Sequence, residues 1–320
     1  LKQKWWRLQI ITKSLFYNEF LNWSYVCDIL LEPMFWFVEN FTACLGPVVF
    51  VVMVSLLTAS IVYIAYYIGL PYWWEKSPLM TIILLVIGNW LLINVCFHYY
   101  MGVNVPAGYP PEGGLIPEAV SICKKCIKPK PPRTHHCSVC NRCILKMDHH
   151  CRILYKETAW LNNCVGHYNH RHFFQYMVFT VLGILFIMLF GVEIAYQEFF
   201  PAQEPELDGH PVRINNSEII PMQTESLDHL TLICVATFAA LGALTWWHAG
   251  LITRGETSIE ARINSTETQK YKILGKVYQN PYNFGPRQNW KLFLGIISYR
   301  NWWYILFPST HGPYGDGLTW

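Results

Sequence analysis

The sequence is short of charge. Of its 320 residues only 14% are Asp, Glu, Lys or Arg, where a soluble domain carries about a quarter, and this argues against a water-soluble globular protein. It also lacks the basic excess that a nucleic-acid partner asks for. The formal net charge is +3, and no recognition-helix pattern accompanies it, so no nucleic acid is expected. There is no internal repeat. The one Pro/Gly-rich stretch, Val105 to Gly114, reads as a connector leaving a membrane. Leu1 to Phe20 has no compact apolar core followed by a small-residue cleavage site, so it does not read as a cleavable signal.

What the sequence has is apolar length: 52% of it is hydrophobic and 16% aromatic. Crossing a bilayer takes about 20 helical residues, and four segments qualify, near 48–70, 79–100, 173–197 and 230–252. The expectation is an all-α membrane protein with four transmembrane helices. Pro71, Trp73, Trp74 and Pro78 are placed in a short interfacial turn between the first two spans. The organisation expected is an interfacial N-terminal segment (1–47), two spans (48–101), a cysteine-rich loop (102–172), two further spans (173–252) around a loop at about 197–228, and a C-terminal region (253–320). Cys96 and Cys234, inside spans, read as packing residues, and His98, His229 and His248 as interfacial ones at span ends. Cys27 and Cys44 lie near the membrane and read as free thiols.

Lys and Arg set the orientation. The loop between spans two and three holds Lys124, Lys125, Lys128, Lys130, Arg133, Arg142, Lys146, Arg152, Lys156 and Arg171, whereas the 197–228 loop has only Arg213 among several acids. The basic loop and both termini are therefore expected in the cytosol and the acidic loop in the lumen. Asn215-Asn216-Ser217 is a glycosylation sequon on the luminal side; those at Asn22, Asn40 and Asn264 fall on the other.

Seven of the eleven cysteines fall between Cys123 and Cys164, interleaved with histidines. Cys-x-x-Cys pairs mixed with His read as metal ligands rather than a disulfide framework. Structural zinc takes four ligands, and this loop has the material for two ions. Cys123, Cys126, Cys137, Cys140, Cys143 and Cys164 provide six ligands, and two of His135, His136, His149 and His150 complete eight. Cys151 is then left over. A spare thiol preceded by Asp148, His149 and His150 is a candidate nucleophile, since an adjacent imidazole can take its proton and a carboxylate can fix that imidazole. The competing reading makes Cys151 a spare ligand in a zinc-stapled scaffold.

The pattern Cys123-x2-Cys126-x9-His136-Cys137-x2-Cys140-x2-Cys143-x4-Asp148-His149-His150-Cys151 resembles the Asp-His-His-Cys protein S-acyltransferases, or palmitoyltransferases. Trp160-Leu-Asn-Asn-Cys164-Val-Gly166, Asn169-x3-Phe173, Thr257-Ser258-Ile259-Glu260 and Asn280-Pro-Tyr-Asn-Phe-Gly285 follow the family pattern too, and the likeness is to the subgroup resident in the endoplasmic reticulum, with the Golgi as alternative. The resemblance implies a small cytosolic zinc-binding domain of β-hairpins beside the four spans. It assigns Cys123, Cys126, His136 and Cys143 to one zinc, and Cys137, Cys140, His150 and Cys164 to the other. It gives Cys151 the acyl group, His149 the role of base and Asp148 that of its orienting partner, with Ser258 hydrogen-bonding near Asp148. Acyl-CoA, palmitoyl-CoA above all, is the implied co-substrate, and membrane-associated proteins with cytosolic cysteines are the implied acceptors. Gly183 aligns with a position that helps close the family's acyl cavity, with helix contact as the plainer reading. Arg133, Arg142 and Lys146 form a basic face suited to coenzyme A phosphates, to anionic lipid or to water.

The chain departs from the family after the nucleophile. Where the family has Cys-Pro-Trp, eight residues, Arg152 to Ala159, stand between Cys151 and Trp160. Added loop length costs little closure entropy, so the zinc fold is expected to survive. Displacement of the thiol by the insertion would leave a catalytically impaired, zinc-stabilised membrane scaffold.

Overall fold

Four helices long and apolar enough to cross a bilayer dominate the structure, a computed structural model that describes residues 5–6, 51–113, 116–150, 163–199, 206–207, 210–211, 222–296 and 299–320. They are α1 (Val51–Lys76), α2 (Pro78–Asn104), α3 (His170–Phe199) and α4 (Met222–Thr253). The residues fall into two units, Leu1–Val52 with Arg152–Trp160, and Met53–Cys151 with Leu161–Trp320. Everything described below belongs to the second. Cys27, Cys44, Cys151, the insertion 152–159 and the Asn215 sequon lie outside the described residues.

α2 packs along α3, and α3 along α4. Leu79, Ile82, Val86 and Ile93 on α2 and Leu189 and Val192 on α3 stay exposed, as apolar side chains facing lipid do. Cys96 is among the outward-facing residues, whereas Cys234 packs against Ile184. The expected turn at Pro71 to Pro78 is shorter than the sequence suggested. α1 continues through Leu70–Lys76 after a π-helical turn at Ala65–Gly69, and only Ser77 separates it from α2. A widened turn leaves room for a proline that brings no N–H. Ser77 caps α2, its Oγ accepting from Met80 N at 3.4 Å, with Pro78 in the first turn. At the far ends, Trp73 Nε1 donates to Phe190 O at 3.1 Å, and Lys76 pairs with Glu193.

Between α2 and α3 lie three short antiparallel hairpins: β1 (Ser121–Cys123) with β2 (Lys128–Lys130), β3 (His135–Cys137) with β4 (Arg142–Ile144), and β5 (His149–His150) with β6 (Cys164–Val165). A fourth, β7 (Glu206–Leu207) with β8 (His210–Pro211), follows α3. The first two hairpins repeat one local device. Cys126 N approaches Cys123 Sγ at 3.5 Å, and Cys140 N approaches Cys137 Sγ at 3.4 Å. The residue after each second cysteine, Ile127 or Asn141, is left-handed at φ 52° and 51°.

The segment around Asn163 fastens the hairpins to the helices. Asn163 Nδ2 donates to the carbonyls that end α2, including Val105 O at 2.8 Å. Asn169 bridges Gly166 N and Cys164 O just before α3. Gly166 has to be glycine, since a Cβ there would lie 2.7 Å from Ile144 Cγ2 and 2.8 Å from Ala107 O. After α4 come α5 (Ser258–Ile273), α6 (Pro286–Leu294) and α7 (Trp303–Leu306). The chain then returns over the bundle: Trp90 Nε1 donates to Leu306 O, Gln175 to Ile305 O, and Arg171 to Ser309 O and His311 O.

Candidate active site and metal centres

Strand geometry explains the paired histidines. Successive side chains on a strand leave opposite faces. On β3, His136 is paired with Cys143 and joins the first thiol cluster, while His135 does not. On β5, His150 is paired with Cys164 and joins the second, while His149 faces the membrane helices.

Two clusters of four result: Cys123, Cys126, His136 and Cys143, and Cys137, Cys140, His150 and Cys164. In the first, His136 Nδ1 lies 3.1 Å from Cys126 Sγ and 3.7 Å from Cys123 Sγ, and the Cys126 and Cys143 sulfurs are 3.8 Å apart. In the second, His150 Nδ1 lies 3.5 Å from both Cys137 and Cys140 Sγ and 3.1 Å from Cys164 Sγ. Ligands on a tetrahedral zinc, with Zn–S near 2.3 Å and Zn–N near 2.0 Å, stand ~3.5–3.8 Å apart, so both sets have the spacing as well as the chemistry. Cys137 is drawn down to about 3, chiefly by the hydrogen bond from Cys164, whose own thiol is pushed up by that partner and by burial. Burial, with Cys123 and Cys126 alongside, pushes Cys143 to about 12. Thiols so crowded can all be thiolates only with a cation among them. Each cluster can hold a metal ion.

On its other side the strand that completes the second cluster carries His149, whose imidazole meets the carboxylate of the residue just before the strand, Asp148. Asp148 N donates to Val165 O at 2.9 Å, which fixes the backbone, and Asp148 is fully buried. Its Oδ2 is 2.5 Å from His149 Nδ1. Its Oδ1 accepts from Ser258 N at 2.7 Å, and its carbonyl accepts from Ser258 Oγ at 2.5 Å. Burial alone would raise the Asp148 carboxyl, but the imidazoles of His170, His149 and His248 outweigh it and hold the group well below the usual carboxylate range. An ionised Asp148 on Nδ1 orients the ring so that its other nitrogen can receive a proton. Cys151 follows His149 two positions along the chain, after His150.

Thr257-Ser258-Ile259-Glu260 has a purpose at each polar position. Thr257 and Glu260 form a reciprocal capping box that starts α5. Ser258 holds Asp148, and Glu260 reaches Arg133, whose Nε and Nη2 bind its two oxygens at 2.6 and 2.5 Å. Arg133 is therefore not part of a free basic face. It is buried, also donates to Gly255 O, and lies between the rings of Tyr282 and Trp320 at 4.5 and 4.6 Å. Of the other two, Arg142 lies over Tyr109 and Lys146 beside Trp320.

This pair joins the hairpin domain to α5, and breaking one side strands a buried charge. Glu260→Gln is expected to destabilise the protein by about 3–5 kcal/mol, read as a fall in the thermal unfolding midpoint in detergent. Replacing both partners, Arg133→Met with Glu260→Leu, should recover most of it. A single substitution as stable as wild type would show that the pair is dispensable.

Two residues near the pair have roles that sequence reasoning missed. His248, read as interfacial packing, is buried with its ring centroid 5.9 Å from that of His149. His170, unremarked in the sequence, has Nε2 4.0 Å from Asp148 Oδ1. His170 opens α3 just after β6, whereas His248 lies near the end of α4, far along the chain from the hairpins. Their one sequence signal is position, since each lies a turn or two from a matched motif. Further from the pair, α1, α2 and α3 enclose an apolar cavity of about 270 Å³ lined by Ile61, Tyr66, Leu92, Gly183 and Ile187 among others. A Cβ on Gly183 would meet nothing within 4 Å.

A family model described as DHHC palmitoyltransferase matches residues 117–265. Palmitoyltransferase ZDHHC16 of Mus musculus is 45% identical over 322 residues, which take in 100% of this chain and 86% of that protein. The protein of that name from Homo sapiens is 43% identical over 336 residues, with 100% and 87% covered. Palmitoyltransferase ZDHHC16A of Danio rerio is 40% identical over 347 residues, with 98% and 88% covered.

Proposed function

The chain belongs to the DHHC palmitoyltransferase family, and from that premise we propose how its residues carry out protein S-acyl transfer. The observation that carries the assignment is the Asp148–His149 pair, held by Ser258 and separated from Cys151 by His150 alone. His149 takes the thiol proton of Cys151. The thiolate attacks the thioester carbonyl of palmitoyl-CoA or a similar long-chain acyl-CoA, the carbon–sulfur bond to coenzyme A breaks, and coenzyme A leaves with the proton from His149. A substrate cysteine then attacks acyl-Cys151 in the same way and restores the thiol. Each half-reaction exchanges one thioester for another, so no other energy source is needed.

The two clusters of three cysteines and one histidine would hold two zinc ions as structural staples. The second sets the position of β5 and hence of His149. The membrane helices and the basic loop support a multi-pass protein with the zinc domain and both termini in the cytosol. The endoplasmic reticulum is the membrane that the family resemblance favours, with membrane-associated proteins bearing cytosolic cysteines as acceptors.

The cavity beside Gly183 suits the acyl tail. Gly183 lies 13 residues into α3, about 20 Å along the helix from the end that adjoins the hairpins. Gly183→Leu is expected to shift preference from palmitoyl- towards shorter acyl-CoA, since each methylene denied burial forfeits about 0.8 kcal/mol. The ratio of kcat/KM for the two chain lengths measures this, and an unchanged ratio would remove Gly183 from the acyl site. The enzyme reading itself is tested by incubating the purified chain with palmitoyl-CoA. Release of free coenzyme A and a thioester-linked palmitoyl group on the protein are expected; the reading fails if neither appears.

A further inference from the structure

We propose that Asp148, His149 and His248, with His170 beside them, form a third metal site that binds Zn²⁺ reversibly and silences the transferase while occupied. One ligand atom from each of Asp148, His149 and His248 lies within 4.8 Å of the others, in a group distinct from the two thiol clusters. His248 is 1% exposed, and its Nδ1 has no hydrogen-bond partner. His170 is 3% exposed, neither of its ring nitrogens is hydrogen-bonded, and its ring centroid is 6.0 Å from that of His248. Burying a polar nitrogen without a partner costs free energy. Two such imidazoles around one buried carboxylate make a donor set that lacks an acceptor of its lone pairs.

The donor chemistry selects the ion. Imidazole nitrogen and carboxylate oxygen, three or four in number, are a ligand set that zinc takes in open sites. No thiolate contributes among these described residues, and the ligands come from β5 and two helices rather than from one knuckle. Binding should therefore be weaker than in the cysteine clusters, which suits an ion that comes and goes. Ligands on zinc with bonds near 2.0 Å stand ~3.3 Å apart, against separations of no more than 4.8 Å among these three donors. The inhibitory consequence rests on the catalytic reading of Asp148 and His149. An ion on their donor atoms holds the ring and carboxylate that Cys151 needs for proton transfer.

The test uses the full-length protein with its structural zinc in place, titrated with Zn²⁺ in a metal-buffered assay. A third bound equivalent is expected by elemental analysis, with self-acylation falling as it binds and recovering on addition of a weak chelator. His248→Phe keeps the ring volume and removes the ligand, and it should weaken both third-site binding and inhibition by at least about 10–100-fold while two equivalents stay bound. Wild-type protein that takes up no third ion, or a variant as zinc-sensitive as wild type, would overturn the proposal. Should the variant not retain its structural zinc, anomalous scattering at the zinc edge from zinc-soaked wild-type protein decides: a peak among Asp148, His149 and His248 supports the site, and none removes it. The metal count does not depend on catalysis. A protein that takes up the third ion yet never forms an acyl thioester sinks the transferase reading and leaves the site standing.

Discussion

Cys151→Ser protein incubated with labelled palmitoyl-CoA is expected to carry no hydroxylamine-sensitive label and to transfer none to a substrate cysteine. The loss should be complete within detection. A serine hydroxyl beside a single imidazole is a far poorer nucleophile than a thiol, which is already partly thiolate at neutral pH. His149→Ala should be less severe, because a positioned general base contributes about 10²–10⁴-fold and the thiol remains. This ordering separates the nucleophile from its base. Equal labelling of wild type and Cys151→Ser would place the acyl group on another cysteine. The insertion can be tested in the same assay by deleting Arg152 to Ala159 and restoring one proline. A large gain would show that the longer loop restrains the enzyme, and unchanged activity would show that it is accommodated.

The second large effect is expected from the metal. Removing one ligand of the second cluster, as in Cys164→Ala, should cost the ion, and structural zinc of this kind is worth about 10–16 kcal/mol to the fold it closes. The register makes the consequence specific. Cys164 pairs with His150, and the neighbouring pair, Val165 with His149, carries the imidazole that contacts Asp148. Zinc content should fall from two per chain towards one, and acylation should disappear with it. Extended treatment with a strong chelator should do the same to wild type. A Cys164→Ala protein that keeps two zinc ions, or that loses one and still labels fully, would contradict the arrangement.

Much of this was legible in the sequence, for identifiable reasons. Long apolar runs betray spans whatever their neighbours do, and all four appear. Cys-x-x-Cys knuckles are local, so their spacing survives reading in one dimension. The choice between His135 and His136, or between His149 and His150, needed a strand pairing that residue counting does not contain. Family resemblance supplied the selection, and the cross-strand partners Cys143 and Cys164 give its physical reason. Least legible were contacts closed by distant segments. Arg133 read as a surface charge because Glu260 stands 127 positions away. His248 read as packing because nothing in its own helix reveals the carboxylate opposite. The return of the chain past Leu306 over α2 and α3 carries no periodic signal at all, being held largely by side-chain bonds to its carbonyls.

The two residues of β5 face opposite ways, His150 towards a metal ligand set and His149 towards Asp148 and Phe173. One two-residue strand therefore links assembly to competence. On the proposed mechanism, a newly made chain without its metal would lack a fixed β5 and an oriented base, and its thiol would stay protonated and inert towards acyl-CoA. Metal loading would then act as a quality checkpoint in biogenesis: immature or metal-starved copies would accumulate in the membrane without acylating themselves or passing acyl groups to bystander proteins.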